Sequence, residues 1–282
     1  MRLDSQVPPP YLPDGTQQTV LRLGLSSLHP ADWLQPDADF ARFHAHKADC
    51  LQHHQEQVIA CLPSSYALQG LFADFLLEHL LHWHGDSYAL VDGNLMHLPS
   101  GLRWPLADRS LAACSRWIQE DIVLLEPQGN SYRLAAASVC SPSNWRLEEK
   151  LGATLAAIHA PVPGYEAQLA ARVDRLLAGL KADKPVSRIN WSLQPGNELR
   201  WRDQSSDGDH KLDIYWRIER QSLLRLPAAN AIIFSIRIYL HRLEDLLKTP
   251  GLEADLHNIL HNLPTEQLTY KGLLSLRKKI GW

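Results

Sequence analysis

Hydrophobic positions along the chain predict a protein of the α+β class. Over residues 66–84 apolar side chains recur every three or four positions, which is the period of an amphipathic helix. After Pro185 the period changes to two, because Ile189, Trp191 and Leu193 alternate with polar residues. This alternation is typical of a strand with one buried face. The chain is therefore expected to combine helices with half-buried strands.

The order of the predicted elements outlines an antiparallel sheet with helices inserted into it. Two strand-like runs surround a Gln-Gly-Asn stretch that suits a hairpin. Two helical stretches come next, at 145–160 and 164–180, and three further strands follow them. The predicted strands are 121–127, 131–140, 187–193, 211–219 and 230–240. Two strands, helices and then three strands form the layout of a PAS-type domain.

The flanking regions are predicted to be mainly helical. Upstream helices are expected at 37–62 and 66–84, and C-terminal helices should follow the last strand. The chain then divides into three regions. These are an N-terminal arm with a helical elaboration over 1–117, a PAS-like core over 118–248, and a C-terminal helical tail over 249–282.

Composition and charge exclude several classes of protein. The 282 residues are 45% hydrophobic and 21% charged, with a formal net charge of −3, which is ordinary for a globular protein and gives no basic stripe for nucleic acid. The N-terminus is Pro-rich without an apolar signal core, and no later run has the length of a membrane span. We therefore expect a cytoplasmic protein. Its four cysteines are isolated, and no zinc, iron–sulfur or nucleotide-binding motif is present.

Two pairs of histidines have a spacing that could bind a metal. His79 and His82 lie on one face of the predicted helix at 66–84, and we interpret them as half-buried members of its apolar stripe. His257 and His261 are four residues apart, but the glutamate of a zinc-protease motif is missing. We interpret this second pair as part of a solvated helix face.

A more specific signal comes from His159. It continues the apolar face of the helix predicted at 145–160, and Pro161 should stop that helix by pushing Ala160 out of the α region. The other residues of this face are Leu147, Leu151, Leu155 and Ile158. A buried helix face that ends on an imidazole indicates either a hydrogen-bonded core histidine at a helix end or a metal ligand.

Several cations accompany His159 in sequence order. A haem needs this combination: an imidazole for the iron, apolar walls for the macrocycle, and Arg or Lys for its two propionates. The candidate propionate ligands are Lys150, Arg188, Arg217, Arg220 and Arg225. The ordinary alternatives are a surface lysine paired with Glu148 or Glu149, and arginines in structural ion pairs or on a solvent-facing strand face.

Separated motifs along the chain resemble those of one known family. In order they are DWLQPDADFARFHAHK, WIQEDIVLL, VCSPSNWRLEEKLGATLAAIHAPVP, RINWSL and WRIERQSLLRLPAANAIIFSIRIYL. Together, from about Asp32 to Leu246, they resemble the haem-dependent oxidative N-demethylase alpha-subunit-like family. The resemblance implies a PAS-like domain that binds haem b, with His159 as the axial iron ligand. It also implies O2-dependent oxidation of a small methylated secondary amine such as dimethylamine, with release of formaldehyde.

Polar residues at the strand ends are candidates for binding the implied substrate. A secondary amine is cationic at neutral pH, and a pocket carboxylate could hold it and accept its proton. Glu120 and Asp121 open the first sheet strand, where adjacent side chains point to opposite faces, and we predict that Asp121 faces the pocket. The alternative is that Asp121 caps the junction between the preceding helix and this strand. Arg188 is the second catalytic candidate, and Trp145 and Trp191 could add cation–π contacts or serve as core residues.

The same resemblance implies a multi-subunit enzyme. The chain itself has no motif for an electron carrier. Its partner subunits would carry flavin and an iron–sulfur cluster. We hypothesise that the basic segment from Arg277 to Trp282 helps to dock this reductase. The competing function is a non-catalytic PAS-like haem or small-ligand sensor, or an assembly subunit.

Overall fold

Two antiparallel sheets organise the part of the chain that the structure describes. The structure is a computed structural model that describes residues 5, 7–13, 15–19, 21–202, 213–274 and 276. The strands are β1 (Ser26–Ser27), β2 (Ile59–Cys61), β3 (Tyr88–Val91), β4 (Asn94–His97), β5 (Leu102–Pro105), β6 (Asp121–Gln128), β7 (Ser131–Ser138), β8 (Val186–Pro195), β9 (Ile214–Leu226) and β10 (Ala231–Arg242). The larger sheet has the order β1-β8-β9-β10-β6-β7-β2, and the smaller one has the order β3-β4-β5.

Helices surround the larger sheet. They are α1 (Phe40–His53), α2 (Gln55–Val58), α3 (Tyr66–Trp83), α4 (Leu111–Cys114), α5 (Leu155–His159), α6 (Ala171–Gly179), α7 (Leu243–Leu246), α8 (Leu252–Asn262) and α9 (Thr265–Tyr270). A π-helical stretch, Glu166–Ala170, leads into α6. Among the described residues, no helix combines the length and the apolar character that a membrane crossing requires.

The α+β class and the predicted order of the core elements are confirmed. The β6–β7 hairpin precedes α5 and α6, and β8, β9 and β10 follow as antiparallel neighbours. Gln128 pairs with Ser131, so the hairpin loop is only Gly129 and Asn130. Gly129 has φ +61°, a left-handed conformation that glycine adopts without a steric penalty. The division into three regions stays a prediction, although β1 and β2 from the N-terminal region both join the larger sheet.

The predicted helix at 37–62 is wrong at its C-terminal end. Helix α1 stops at His53, the short α2 follows, and Ile59–Cys61 forms strand β2. This strand pairs with β7, with Ile59 opposite Ser138. The edge of β7 offers backbone hydrogen bonds that a continued helix could not use, so the tertiary structure overrides the helical pattern.

The predicted helix at 145–160 is also wrong, because it is interrupted. Only Leu147–Glu149, a 3₁₀ turn, and α5 are helical. Gly152 between them has φ +77° and donates its N–H to the carbonyl of Leu134 in β7, and Thr154 then caps the start of α5. The interruption satisfies backbone groups of β7. As a result, Lys150 and His159 are not on one helix.

The expected effect of Pro161 on its neighbour is wrong in detail. Helix α5 does end at His159, but Ala160 keeps an α-region backbone with φ −51° and ψ −35°. Proline still ends the helix because it has no N–H to donate to the preceding turn.

The two faces of the larger sheet have different neighbours. Residues opposite each other on adjacent strands share a face, and one row joins Arg188, Gln221, Ile236 and Asp121 across β8, β9, β10 and β6. We call the face with this row the front face. Apolar side chains of α5 and α6 cover one end of it, and Phe43 of α1 lies in the cluster at the other end. Helices α3, α8 and α9 pack on the back face.

The middle of the front face is incompletely covered. Leu223, Phe234 and Ile236 are only half-buried there. By contrast, Leu224 and Ile233, which project from the same strands to the back face, are buried. The front face therefore presents an apolar strip between its two covered ends.

Candidate functional site

The imidazole of His159 is held in a defined orientation at the end of α5. Its Nδ1 lies 2.8 Å from the carbonyl oxygen of Leu155. Because a carbonyl only accepts, Nδ1 carries the proton, and the lone pair of the neutral ring lies on Nε2. The ring of Tyr165 stacks on the imidazole with centroids 4.4 Å apart and planes 10° from parallel. Nε2 has no hydrogen-bond partner among the described residues.

The surroundings of His159 keep its ring neutral. Burial lowers the pKa of His159, and the positive charges of Arg188 and Lys150 lower it further, against the opposing effect of the hydrogen bond with Leu155. A neutral imidazole is the form that binds metals. The structure thus brings two of the predicted cations close enough for their charges to act on the His159 ring.

Arg188 has donors without acceptors on the front face. Its guanidinium makes no hydrogen bond with any described residue, and its Nε is buried without a partner. Burial lowers the pKa of Arg188, whereas the nearby charge of Glu219 raises it. A half-buried cation with free donors is ready to bind an anionic group.

Lys150 lies beside the same region, after the 3₁₀ turn rather than on α5. The predicted alternative partners are engaged elsewhere: Glu148 binds Arg202, and Glu149 lies 3.8 Å from Arg146. In the described part of the chain Lys150 has no salt bridge within 4.0 Å. Its ammonium group therefore has no described carboxylate to neutralise it.

Arg217 lies on the front face but is fully buried among protein acceptors. It donates to the carbonyl oxygen of Ser141 at 2.5 Å, to that of Leu199 at 3.2 Å and to Oε1 of Gln194 at 3.2 Å. Its Nε is 3.5 Å from Glu219. These contacts tie β9 to the segments after β7 and β8, and a role in haem binding stays a prediction for this residue.

Arg220 and Arg225 also have protein acceptors. Arg220 projects to the back face and donates to the carbonyl oxygens of Asp32 and Trp33, at 2.5 Å and 3.1 Å. Arg225 donates to the carbonyl oxygens of Leu177 and Leu180, both at 2.6 Å, which satisfies the C-terminal end of α6. The structure does not bring these two arginines together with His159, and their predicted propionate contacts remain untested.

One known family matches the chain. Residues 24–281 match the family described as haem-dependent oxidative N-demethylase, alpha subunit-like. The chain belongs to this family. The match covers nearly the whole chain, so the resemblance expected from the separated motifs is confirmed. The family's description names dependence on haem, and an alpha subunit implies further subunits.

The residues of this alpha-subunit-like chain fit a haem on three counts. His159 presents an unprotonated Nε2, and a haem iron needs only one protein nitrogen because the macrocycle supplies the others. The apolar strip of the front face can cover a macrocycle, and Arg188 has free donors for a propionate.

Asp121 lies deep in the same row as Arg188, at the start of β6. Its carboxylate accepts the backbone N–H of Cys140 at 3.0 Å and that of Ser141 at 2.8 Å. Burial raises the pKa of Asp121, and the charge of Lys47 opposes that rise. The carboxylate thus binds the backbone that follows β7, which differs from the expected cap of the helix–strand junction, and its catalytic role stays a prediction.

The neighbouring carboxylate and the two tryptophans have mainly structural contacts. Oε1 of Glu120 accepts the backbone N–H of Gln35. Trp145 packs against the apolar cluster beside α5. Trp191 is buried on the back face, stacked on Trp216 with centroids 4.6 Å apart. These contacts agree with the core-residue alternative for both tryptophans.

A thiol pair near this site could not be foreseen from sequence. The buried Cys50 and Cys140 come together with His46, whose Nε2 is 3.6 Å from Cys50 Sγ and donates to the Cys140 carbonyl at 2.8 Å. The hydrogen bond from Cys140 and the contact with His46 lower the pKa of Cys50 to about 5, although burial opposes this. Cys50 and Cys140 are 90 residues apart, so only the tertiary structure brings this pair together.

The two histidine pairs differ in exposure, and three of the four histidines are exposed on helix surfaces. His257 and His261 are exposed on α8, and His82 is exposed on α3. His79 is more buried than expected, with only 7% of its surface exposed. Burial lowers the pKa of His79 to about 3, and the neighbouring His84 and His82 add to the effect.

Because of this shift, His79 should make the protein sensitive to acid. The folded pKa lies below the unfolded value of 6.5, so the unfolded state binds the proton first and stability falls as the pH drops from 6.5 towards 3. Between pH 7 and pH 5 this group should lower the free energy of unfolding by about 2 kcal/mol. Urea unfolding at both pH values should show a smaller loss for His79→Leu, and equal losses in the two proteins would contradict the assignment.

Proposed function

We propose that this chain is the haem-binding subunit of an oxidative N-demethylase that acts on a small methylated secondary amine. The observation that carries the proposal is the free Nε2 of a neutral, oriented His159 beside cations that lack protein partners. Membership of the haem-dependent oxidative N-demethylase alpha-subunit-like family supports the same cofactor and reaction.

In this proposal the core has a PAS-like arrangement, and haem b lies against the front face. His159 binds the iron, the half-buried Leu223, Phe234 and Ile236 contact the macrocycle, and Arg188 and Lys150 hold the propionates. The layout of two strands, helices and three antiparallel strands supports this arrangement. Each proposed residue has a matching chemical property: an available nitrogen lone pair, a half-buried apolar surface, or a cation without a protein hydrogen-bond acceptor.

The overall reaction requires two electrons from outside the subunit. For dimethylamine, one O2, two electrons and two protons yield methylamine, formaldehyde and water. When bound, the haem supplies the site at which O2 is activated. The protein must hold the amine and accept the proton of its ammonium form. We propose Asp121 for that proton, since burial raises its pKa and its row on the front face also carries Arg188.

The electrons are proposed to come from partner subunits that carry flavin and an iron–sulfur cluster. An alpha-subunit-like family implies further subunits without identifying them or their cofactors. The segment from Arg277 to Trp282, which we hypothesised to dock the reductase, lies outside the described residues. Deletion of 277–282 should slow turnover driven by the partner and leave the haem spectrum unchanged.

Haem titration of the purified full-length chain tests the cofactor assignment. A one-to-one Soret band from a histidine-bound haem is the expected result. Turnover of dimethylamine with a flavin and iron–sulfur reductase, measured as formaldehyde, then tests the enzymatic role. A protein that stays colourless after haem addition would reject the proposal, and haem binding without any amine turnover would favour the sensor function.

Replacement of the two free cations should weaken haem retention. A charge-assisted hydrogen bond contributes roughly 1.5–3 kcal/mol, so Arg188→Leu and Lys150→Ala should each raise the rate of haem loss by about one to two decades. Transfer of haem to apomyoglobin measures this rate. Arg225→Leu is the matched control, because its guanidinium binds the end of α6. Equal rates of haem loss in Arg188→Leu and wild type would reject the propionate assignment.

A further inference from the structure

The segment from His159 to Tyr165, with the sequence HAPVPGY, folds back onto the end of helix α5. Two consecutive turns produce this reversal. The N–H of Val162 donates to the carbonyl oxygen of His159 at 2.9 Å, and the N–H of Tyr165 donates to that of Val162 at 3.1 Å. The segment therefore brings the side chain of Tyr165 against that of His159.

The path of this segment is restricted by its residue types. The rings of Pro161 and Pro163 fix the φ angles of both residues. Gly164 has φ +80°, and a Cβ atom there would lie 2.8 Å from Nε2 of Gln168 and 3.0 Å from Cδ1 of Leu21. Glycine is the residue that adopts this backbone conformation without strain. The turn therefore leaves the residue that follows it little freedom of position.

The ring of Tyr165, and not its hydroxyl group, makes the contact with His159. Tyr165 is 5% exposed, and its ring lies nearly parallel to the imidazole. The hydroxyl group has no hydrogen-bond partner among the described residues. The π-helical stretch Glu166–Ala170 starts directly after Tyr165. Single π-helical turns of this kind occur frequently at functional sites, which is independent support for a role of this residue.

Two different constraints act on the ring of His159. The hydrogen bond of Nδ1 with the carbonyl oxygen of Leu155 fixes the position of one atom, but the ring could still turn about that contact. The parallel ring of Tyr165, with its centroid 4.4 Å away, fixes the plane. Together the two contacts leave one direction for the lone pair of Nε2. Groups that contact a metal ligand in this way set its orientation and its tautomer.

We propose that Tyr165 is a positioning residue whose ring holds the imidazole of His159 in the plane that directs Nε2 at the haem iron. This inference rests on the proposed function, in which His159 binds the iron. Tyr165 acts through His159 and need not touch haem or substrate. Because only the ring is required, phenylalanine should replace Tyr165 without loss. Leucine is apolar but not planar, so it should not replace it.

The first measurement is the tautomer of His159 in the full-length protein without haem. Protein with ¹⁵N-labelled histidine is studied at about pH 8, where an ordinary imidazole is neutral, and long-range ¹H–¹⁵N correlations show which ring nitrogen carries the proton. The signals of His159 are assigned from His159→Ala. Wild type and Tyr165→Phe should show mainly the Nδ1–H tautomer. Tyr165→Leu should show a much larger Nε2–H fraction, because its imidazole can turn away from the carbonyl of Leu155.

The second measurement is the iron–histidine stretching band of the haem-loaded, reduced protein in resonance Raman spectra. Tyr165→Phe should keep the wild-type band, whereas Tyr165→Leu should shift or broaden it. Changes to groups that orient a metal ligand cost roughly 10–100-fold in affinity, so Tyr165→Leu should also raise the rate of haem loss about tenfold or more. Neither readout depends on amine turnover.

Tyr132→Leu is the matched control for the loss of a buried tyrosine. Tyr132 is 6% exposed and belongs to the apolar cluster that contains Leu155, but its ring does not stack on His159. This exchange should lower the free energy of unfolding, measured in urea, and leave the His159 tautomer and the iron–histidine band unchanged. A change of tautomer in Tyr132→Leu equal to that in Tyr165→Leu would reject a specific role of Tyr165.

Two further results would overturn the inference. One is a wild-type tautomer and iron–histidine band in Tyr165→Leu, which would reduce Tyr165 to a packing residue. The other is the same change in Tyr165→Phe as in Tyr165→Leu, which would show that the ring is not what holds His159. Failure of the proposed function has a different signature. Wild-type protein would then bind no haem, while the His159 tautomer would still differ between Tyr165→Phe and Tyr165→Leu.

Discussion

His159→Ala should lose the Soret band of the haem-loaded protein while remaining folded. His159 is at the end of a short helix, is only half-buried and packs on Tyr165, so its removal leaves the sheet and its apolar clusters intact. Loss of residues that merely support a ligand costs roughly 10–100-fold in metal affinity, and loss of the ligand should cost more. Haem titration followed by absorbance measures the change, with circular dichroism as the check on folding.

Two comparisons make the His159 experiment specific. His257→Ala removes an exposed histidine from α8 and should leave the Soret band unchanged. Added imidazole should restore a histidine-like spectrum to His159→Ala, because it can enter the space that the side chain leaves. If His159→Ala keeps the wild-type spectrum and affinity, another residue binds the iron and the proposed site is misplaced.

Arg237→Leu should cause the largest loss of stability of any single exchange discussed above. Arg237 is fully buried on β10, and its guanidinium binds both oxygens of Asp37, at 2.8 Å and 2.9 Å. It also lies 4.1 Å from the ring centre of Phe43. Removal of one partner from a buried ion pair leaves the other charge uncompensated, which costs about 3–5 kcal/mol. Urea unfolding monitored by circular dichroism measures the free energy of unfolding.

Arg242→Leu is the matched control for Arg237→Leu. Arg242 lies on the same strand and has two carboxylate partners, Asp213 and Glu244, both of which are largely exposed. Exposed ion pairs are screened by water and salt, so this exchange should change stability only slightly. Similar losses for the two variants would show that burial of the Arg237–Asp37 pair is not the source of its effect.

Much of the fold can be predicted from local sequence patterns. The alternation of Ile189, Trp191 and Leu193 identifies β8 and its buried face, and the residues around Gly129 identify the β6–β7 hairpin. These features depend on neighbours within about ten residues, so they can be predicted without knowledge of the rest of the chain. Strand β2 and the break at Gly152 were missed because both depend on pairing with β7, a distant partner.

The candidate site was predictable only in part, for a related reason. The position of His159 at a helix end follows from its own segment, and the cations near it were foreseen as a set. The sequence did not show which of these cations have hydrogen-bond donors without a protein acceptor. Arg217 and Arg225 lie on the same face as Arg188, but backbone carbonyls from other elements accept their hydrogen bonds. Arg220 lies on the opposite face, as the alternation along β9 requires.

By itself, the sequence determined the α+β class, the order of the core elements, the family and the choice of His159, because periodicity and motifs are local properties of the chain. Only the tertiary structure decided that the charges of Arg188 and Lys150 lower the pKa of His159 and that Cys50 lies beside Cys140. Those contacts depend on strand register and on the packing of segments far apart in the chain. No local pattern encodes the distance between such segments.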